Sequence, residues 1–387
     1  MKDSTKEIIY RSGIDMDDPD IEVFEVEKMS REMKKIILNV PHVSKEEVRT
    51  LVTLFYQIQD IRIHISEQIR SIEREVSAPG DNSNANLLIL RWVLQSVAGT
   101  EKGIKDALEL ICKSDKVGRW LLSINGIGPA LAAGCLAYFD VTDRQYASSF
   151  ISYAGLNDNN RPWLGKDKSK KIIDEVIAKY ADPDDKNPKI TDDMVIEISA
   201  RTQWKFGYLR DLACDGKGKW KKDKLIAACA KIPYNADLKT HMWKVGKSFE
   251  YLKSNKKSLY GRLLAERIAL EMARNEEGYY KPLIEKHMSE KNYSKGTETY
   301  NCYMEGKLPM TEINARCRRW TEKIFISHLF EEMYRVANDK IPPRYYALEH
   351  CDGHHDEIMP EVEYTKVTGE PASDEDTTKK SRKKKED

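Results

Sequence analysis

The segment Leu121-Leu-Ser-Ile-Asn-Gly-Ile-Gly-Pro-Ala-Leu131 has the residue types and spacing of a helix–hairpin–helix, a backbone device for gripping DNA. Apolar residues lead into Ile124-Asn125-Gly126-Ile127-Gly128, and Pro129 opens an Ala/Leu-rich helical run to Phe139. Gly126 and Gly128 permit a tight turn and a bare surface that a phosphate can approach. Pro129 suits a first helical position, because its fixed φ is helical and its missing N–H would be orphaned anyway. The free N–H groups of that helix start, with the dipole behind them, suit an anion. Asn125, Gly126, Ile127 and Gly128 are the contact residues expected from this arrangement. Phosphate contacts carry affinity rather than sequence choice. The competing reading is an ordinary turn in an apolar core.

A second constellation mixes cations with aromatics. Arg201, Trp204, Lys205, Phe206, Tyr208 and Arg210 share a short helix-like stretch, and Lys217, Lys219, Trp220, Lys221, Lys222 and Lys224 follow. Cations neutralise phosphates while aromatics stack on exposed bases. The competing reading is a solvated basic face with its aromatics packed inward. The overall charge of +1 hides this concentration: residues 1–30 hold four Lys/Arg and nine Asp/Glu, whereas residues 201–262 hold sixteen and five. A near-neutral total therefore does not argue against a polyanionic partner.

Three further groups have chemical residue types and weaker patterns. Arg316, Arg318, Arg319 and Lys323 are basic, but Ile313, Trp320, Ile324, Phe325, Leu329 and Phe330 make their helix chiefly a core element. His350-Cys351-Asp-Gly-His354-His355-Asp356 matches no closed tetrahedral spacing and reads as a polar loop. His64 and His328 sit in apolar helical stretches and read as satisfied core or surface histidines rather than general bases. No metal and no cofactor is expected.

The elements that position these groups are helical. Ser44-Lys-Glu-Glu47 is a capping box, with Val43 and Val48 placed as a hydrophobic staple. Leu51, Leu54, Phe55, Ile58, Ile61, Ile65, Ile69, Ile72 and Val76 then recur at three- and four-residue steps, a long amphipathic helix with coiled-coil character. Ala78-Pro-Gly-Asp-Asn-Ser-Asn84 breaks it, and apolar runs at Leu87–Val97 and Ile104–Ile111 return as an antiparallel hairpin. Strand signals are few, with one candidate at Ile21–Val26, and no βαβ alternation occurs. The expected fold class is mostly α: a long helical hairpin or coiled coil followed by a helical domain with a helix–hairpin–helix. Its expected divisions are an acidic segment 1–43, a helical hairpin 44–115, a DNA-binding domain 116–235, a helical extension 236–360 and a disordered charged tail 361–387.

Of the 387 residues 40% are hydrophobic and 33% charged, the balance of a globular chain with a charged surface. Leu121–Phe139 is nearly continuous apolar sequence, but Asn125, three glycines and Pro129 interrupt a segment barely long enough to span a bilayer. Met1-Lys-Asp-Ser-Thr-Lys6 lacks the apolar core of a signal peptide. Seven scattered cysteines without a Cys-x-x-Cys pair suit a reducing interior. A soluble, cytoplasmic protein is expected, with no membrane partner.

With these pieces in order, the chain resembles the C-terminal part of the Piv-type insertion-sequence transposases, the IS-one-ten kind. The resemblance is carried by Leu122-Ser-Ile-Asn-Gly-Ile-Gly-Pro-Ala-Leu-Ala-Ala133 and Phe150-Ile-Ser-Tyr-Ala-Gly-Leu156, and more weakly by Ile198-Ser-Ala-Arg-Thr-Gln-Trp-Lys-Phe-Gly-Tyr-Leu-Arg210. Those recombinases join a DEDD nuclease domain, a coiled coil and a helical transposase domain. The resemblance implies DNA recombination or transposition, with DNA as partner. RNA is the second partner considered, and the long helices of the coiled-coil region serve either internal packing or self-association. Two departures bear on catalysis. The residues before the Ser44 helix start are too few for a metal-holding DEDD domain. The family's serine follows Ala-Gly-Leu near a Gly-Lys, where this chain has Arg161-Pro-Trp-Leu-Gly-Lys166; Ser169 is the nearest hydroxyl. The expectation is a DNA-binding component rather than a self-sufficient nuclease. The alternatives are a hairpin-class repair enzyme, for which Asp140 and Asp143 come too early after the hairpin, and a non-catalytic helical scaffold.

Overall fold

A computed structural model describes residues 43–75, 85–142, 144, 146–157, 163–180 and 188–342. The acidic segment, the strand candidate at 21–26, the break at 78–84, the His350–Asp356 cluster and the charged tail lie outside the described residues. Among the described residues 75% are helical, in 14 helices, with no strand. A mostly-α fold is what the helical periodicities require. The helices fall into two compact units, 1–147 with 243–387 and 148–242. This division differs from the expected one, because the hairpin segment and the basic–aromatic segment belong to different units.

In the larger unit α1 (Lys45–Glu75) begins at the capping box. Ser44 N donates to Glu47 Oε2 at 2.7 Å and Glu47 N donates back to Ser44 Oγ at 3.2 Å, which satisfies two orphan donors reciprocally. α2 (Ala85–Ser114), α3 (Lys116–Ser123) and α4 (Pro129–Tyr138) follow. α1, α2 and α4 pack on one another, and α3 packs on α2 and α4. The apolar stripe of α1 is not one coiled-coil seam. Val48, Val52, Phe55 and Ile69 are buried, whereas Leu54 and Ile61 are exposed. Two helices press on α1, so its buried face follows the α-helical period through 48, 52 and 55 and leaves 54 and 61 about one residue's rotation outside it. Farther along, Gln59 and Arg62 bond the carboxylate of Glu101 on α2, which makes that part of the seam polar.

α4 has no polar face. Ala130, Ala132, Ala133, Gly134, Cys135 and Ala137 are all buried, as expected of a helix enclosed by others. Small residues let its neighbours approach closely. Its last turn is capped from α1: Arg49 donates twice to Ala137 O, at 3.1 and 2.9 Å, and Lys45 Nζ donates to Phe139 O at 3.2 Å. Cations at a helix C-terminus also meet the negative end of its dipole. Leu108 and Leu121 are fully buried, each contributing roughly 1.5–3 kcal/mol of burial.

The smaller unit, 148–242, holds α5 (Ala147–Tyr153), α6 (Gly165–Tyr180), α7 (Asp192–Thr202), α8 (Phe206–Ala213), α9 (Lys222–Cys229) and the start of the helix that follows. Its core joins Ile173 and Val176 of α6, Val195 and Ile198 of α7, Leu209 of α8 and Leu225 of α9. The Ala-Gly-Leu segment ends α5 in a Schellman motif, with Leu156 N on Ile151 O and Gly155 N on Ser152 O, both at 3.1 Å. Gly155 has φ +67°, and a Cβ there would sit 2.6 Å from the Tyr234 ring. Glycine is required on both counts.

The unit boundary falls within α10 (Ala236–Tyr251). The larger unit continues with α11 (Leu259–Glu276), α12 (Lys281–Glu290), α13 (Glu298–Met304) and the 29-residue α14 (Met310–Asn338). α14 packs on α11 and on α3. Phe249, Tyr260 and Phe325 meet ring to ring at its centre. Buried Ile313, Ile324, Phe325, Leu329 and Phe330 make α14 a core helix, and Arg318 pairs internally with Glu250 at 3.0 Å. Among the described residues no helix is long and apolar enough to cross a membrane, and Leu121–Phe139 is divided between α3 and α4.

Candidate nucleic-acid interface

The segment 124–129 forms the turn between α3 and α4. α3 starts on Asp115, whose side chain caps Gly118 N at 2.9 Å, and ends at Ile124, whose N–H donates to Leu121 O. Ile127 N donates to Ile124 O at 3.0 Å, which closes the turn, and Gly128 is the N-cap of α4 with Pro129 behind it. Ile127 is buried and anchors the turn in the core, so its side chain is a structural residue. The two glycines have different reasons to be there. Gly126 has φ +102°, and a Cβ on it would lie 2.8 Å from Ser248 Oγ and 2.9 Å from Leu252 Cδ1. Gly128 has ordinary φ −89°, is exposed, and has nothing within 4 Å of the place a Cβ would take. Only Gly128 offers a bare approach from solvent.

The turn is tied to α10 and to the stretch that follows it. Ser248 Oγ donates to Gly126 O, and Asn125 Nδ2 donates to Lys257 O at 3.0 Å. The exposed Asn125 amide is thus partly used within the chain. The same bond brings the loop Lys253-Ser-Asn-Lys-Lys257 against the hairpin, with Lys253, Lys256 and Lys257 all exposed. These three lysines form no ion pair among the described residues. Sequence reasoning counted them in the basic stretch without linking them to the hairpin, because the contacts are 122 and 132 residues apart along the chain.

In the smaller unit the basic–aromatic residues lie on α7, α8, α9 and the connection between the last two. Trp204 and Trp220 are 8% and 9% exposed. The Trp204 indole N–H donates to Cys229 O at 3.1 Å and its ring stacks on Tyr208; Trp220 Nε1 donates to Asp192 Oδ1 at 2.7 Å, and Phe206 meets its edge. These aromatics pack inward and are not placed to receive bases. The cations divide into two sets. Arg201 is paired with Glu175, Lys221 with Asp215 at 3.4 Å, and Lys222 with Asp174 at 2.7 Å. Lys205, Arg210, Lys217, Lys219 and Lys224 are exposed and form no ion pair among the described residues.

A tight turn presents two of the unpaired lysines. Asp215 Oδ1 accepts from Lys217 N at 3.0 Å and from Lys219 N at 2.9 Å, while Gly218, at φ +77°, donates to Asp215 O. The bond from Lys219 N is the chief reason the Asp215 carboxyl is held below its usual range, with smaller help from Lys217 N and Lys221. A single isolated β-bridge, Cys214 to Trp220, closes the base of this turn.

Ser169 lies on α6 with no exposure and its hydroxyl without a hydrogen-bond partner, so it cannot meet a substrate where it stands. Trp163, near the place where the resemblance expects a serine, donates its indole N–H to Ala230 O at 3.0 Å; Pro162 lies outside the described residues. Asp140 is paired with Lys45 at 2.7 Å, and chiefly this bond, with help from Thr142, pulls its carboxyl well below the usual range. Asp143 lies outside the described residues. His64 is exposed. His328 is buried, bonded to Tyr260 Oη at 2.8 Å, and burial pushes its pKa down to about 4. Among the described residues no group of three His, Cys, Asp or Glu side chains comes together as a metal site. Comparison with protein-family models, curated proteins and solved structures finds no match to this chain.

Proposed function

We propose that this chain binds DNA through backbone phosphates and serves DNA recombination or transposition as a binding component rather than as a self-sufficient nuclease. The observation that carries the reading is Gly128: exposed, unobstructed and at the N-terminus of α4, three residues after Asn125, which bonds a loop whose lysines form no ion pair among the described residues. A phosphate there would meet the helix start and the positive end of its dipole. Lys205, Arg210, Lys217, Lys219 and Lys224 add a second polyanion surface in the other unit, whose charge suits RNA as well as DNA. The transposition role rests on the resemblance of 122–133, 150–156 and 198–210 to the Piv-type transposases. The burial of Ser169 favours binding without turnover by this chain alone.

Leu54, Ile61, Leu88, Ile89 and Trp92 stay exposed on α1 and α2, which supports self-association through these helices. The scattered cysteines favour a reducing, cytoplasmic setting. A repair glycosylase is disfavoured, since Asp140, the first carboxylate after the hairpin in sequence, is committed to Lys45. The test is a gel-shift series with duplex, junction and single-stranded DNA at two salt concentrations. Salt-sensitive shifts support the reading; no shift at low salt leaves the scaffold reading in its place.

A further inference from the structure

The aromatics that the smaller unit leaves in solvent are not those of the 201–224 region. Trp163 is 58% exposed and Tyr153 40%. Both are fixed to one short segment, residues 230–235. Trp163 Nε1 donates to Ala230 O, Asn235 N donates to Tyr153 O at 2.9 Å, and Asn235 Nδ2 donates to Tyr153 Oη at 2.8 Å. Tyr234, in the same segment, seats its ring against Gly155 and carries Lys239 Nζ 4.4 Å from its centroid.

Lysines flank these rings. Lys231 is exposed beside the Ala230 anchor, Lys239 lies over Tyr234, and Lys166 is exposed three residues after Trp163. None of the three forms an ion pair among the described residues, and the carboxylates nearest in sequence are Asp167 and Asp237. The indole N–H of Trp163 is already used inside the chain, so the exposed ring acts outward by stacking and apolar contact rather than as a donor. A face recognises by stacking, which tolerates any base but requires one that is unpaired.

We propose that Tyr153, Trp163 and the 230–239 segment form a stacking platform for the unpaired bases of a single-stranded nucleic acid, with Lys166, Lys231 and Lys239 on its phosphates. This rests on the nucleic-acid-binding reading and narrows it: this face of the smaller unit takes strand whose bases are free. Single-stranded DNA and RNA share the required chemistry.

The experiment is an anisotropy titration of the full chain with labelled oligothymidine, labelled oligouridine and a duplex of equal length. Trp163→Ala should weaken single-strand binding roughly 5- to 150-fold, the conversion of about 1–3 kcal/mol per stacked base, and leave duplex affinity within about twofold. Trp163→Phe loses the bond to Ala230 but keeps a ring, and should retain most of the affinity. Lys231→Glu, at an exposed position, should weaken single-strand binding even if the alanine variant folds poorly. The two homopolymer arms decide which sugar is preferred. Unchanged single-strand affinity in both Trp163→Ala and Lys231→Glu overturns the platform, as does equal loss in the alanine and phenylalanine variants. Duplex binding by the native chain without single-strand binding also overturns it while sparing the broader reading. Binding of neither form removes the broader reading itself.

Discussion

Gly128→Asp should move stability and DNA affinity in opposite directions. Gly128 is the N-cap of α4 with φ −89° and ψ 174°, an extended conformation that aspartate adopts freely, and no side chain caps the helix there. An added Cβ meets nothing within 4 Å. Aspartate is a better N-cap than glycine by a few tenths of a kcal/mol, and its charge at the helix start adds about 0.3–1 kcal/mol. A gain of about 0.5–1.5 kcal/mol should raise the melting temperature by about 2–4 °C per kcal/mol for a unit of this size. The same carboxylate would occupy the place proposed for a DNA phosphate. Losing one charge-assisted contact, worth about 1.5–3 kcal/mol, weakens duplex binding roughly ten- to a hundredfold before repulsion is counted. Gly128→Ser supplies the cap without the charge and should keep most of the affinity. Calorimetry and duplex anisotropy on the three proteins decide the matter. An aspartate variant that melts higher and binds as tightly as the native chain refutes the phosphate site at the hairpin. Gly126 cannot serve for this test, since its positive φ and the Ser248 and Leu252 contacts make any side chain there cost about 2–5 kcal/mol of fold.

Replacing Lys217, Lys219 and Lys224 together by alanine should flatten the slope of log affinity against log salt for duplex DNA by about 2.7 units. Replacing Lys221 and Lys222 should change it less, because Asp215 and Asp174 already neutralise them; equal effects per lysine would refute the distinction. Ser169→Ala should leave DNA binding unchanged and stability equal or higher, since it removes a buried hydroxyl without a partner; magnesium-dependent cleavage by the purified chain that disappears in this variant would overturn the non-catalytic reading. His328 is buried with its pKa lowered from 6.5 to about 4, so its stabilising effect is complete above pH 6.5 and is lost as pH falls from there toward 4. That shift corresponds to about 3 kcal/mol, and a His328→Gln variant should show a shallower fall in melting temperature over the window; identical pH profiles would contradict it.

The helical class was legible because the evidence for it is local. The capping box at Ser44–Glu47 and the apolar steps of α1 depend on neighbours within a turn or two, and the hydrogen bonds between Ser44 and Glu47 are the ones the motif requires. The seam of α1 was less legible: two helices press on it, and the residue exposed or buried at 54 or 55 depends on where they lie. The turn between α3 and α4 was visible in its glycines and proline, but the reason for Gly126 was not, since Ser248 and Leu252 lie far along the chain. The basic–aromatic stretch shows the limit most plainly. A core helix with a charged rim and a nucleic-acid face have the same composition. What separates them is the partner of each indole N–H, and for Trp204 and Trp220 those partners, Cys229 O and Asp192, lie 25 and 28 residues away.

The central claim is tested most directly by anisotropy of the native chain on duplex DNA over a series of salt concentrations. Lys205, Arg210, Lys217, Lys219 and Lys224 by themselves predict a log–log slope of about −4.5. A slope near zero, or no binding at low salt, contradicts it.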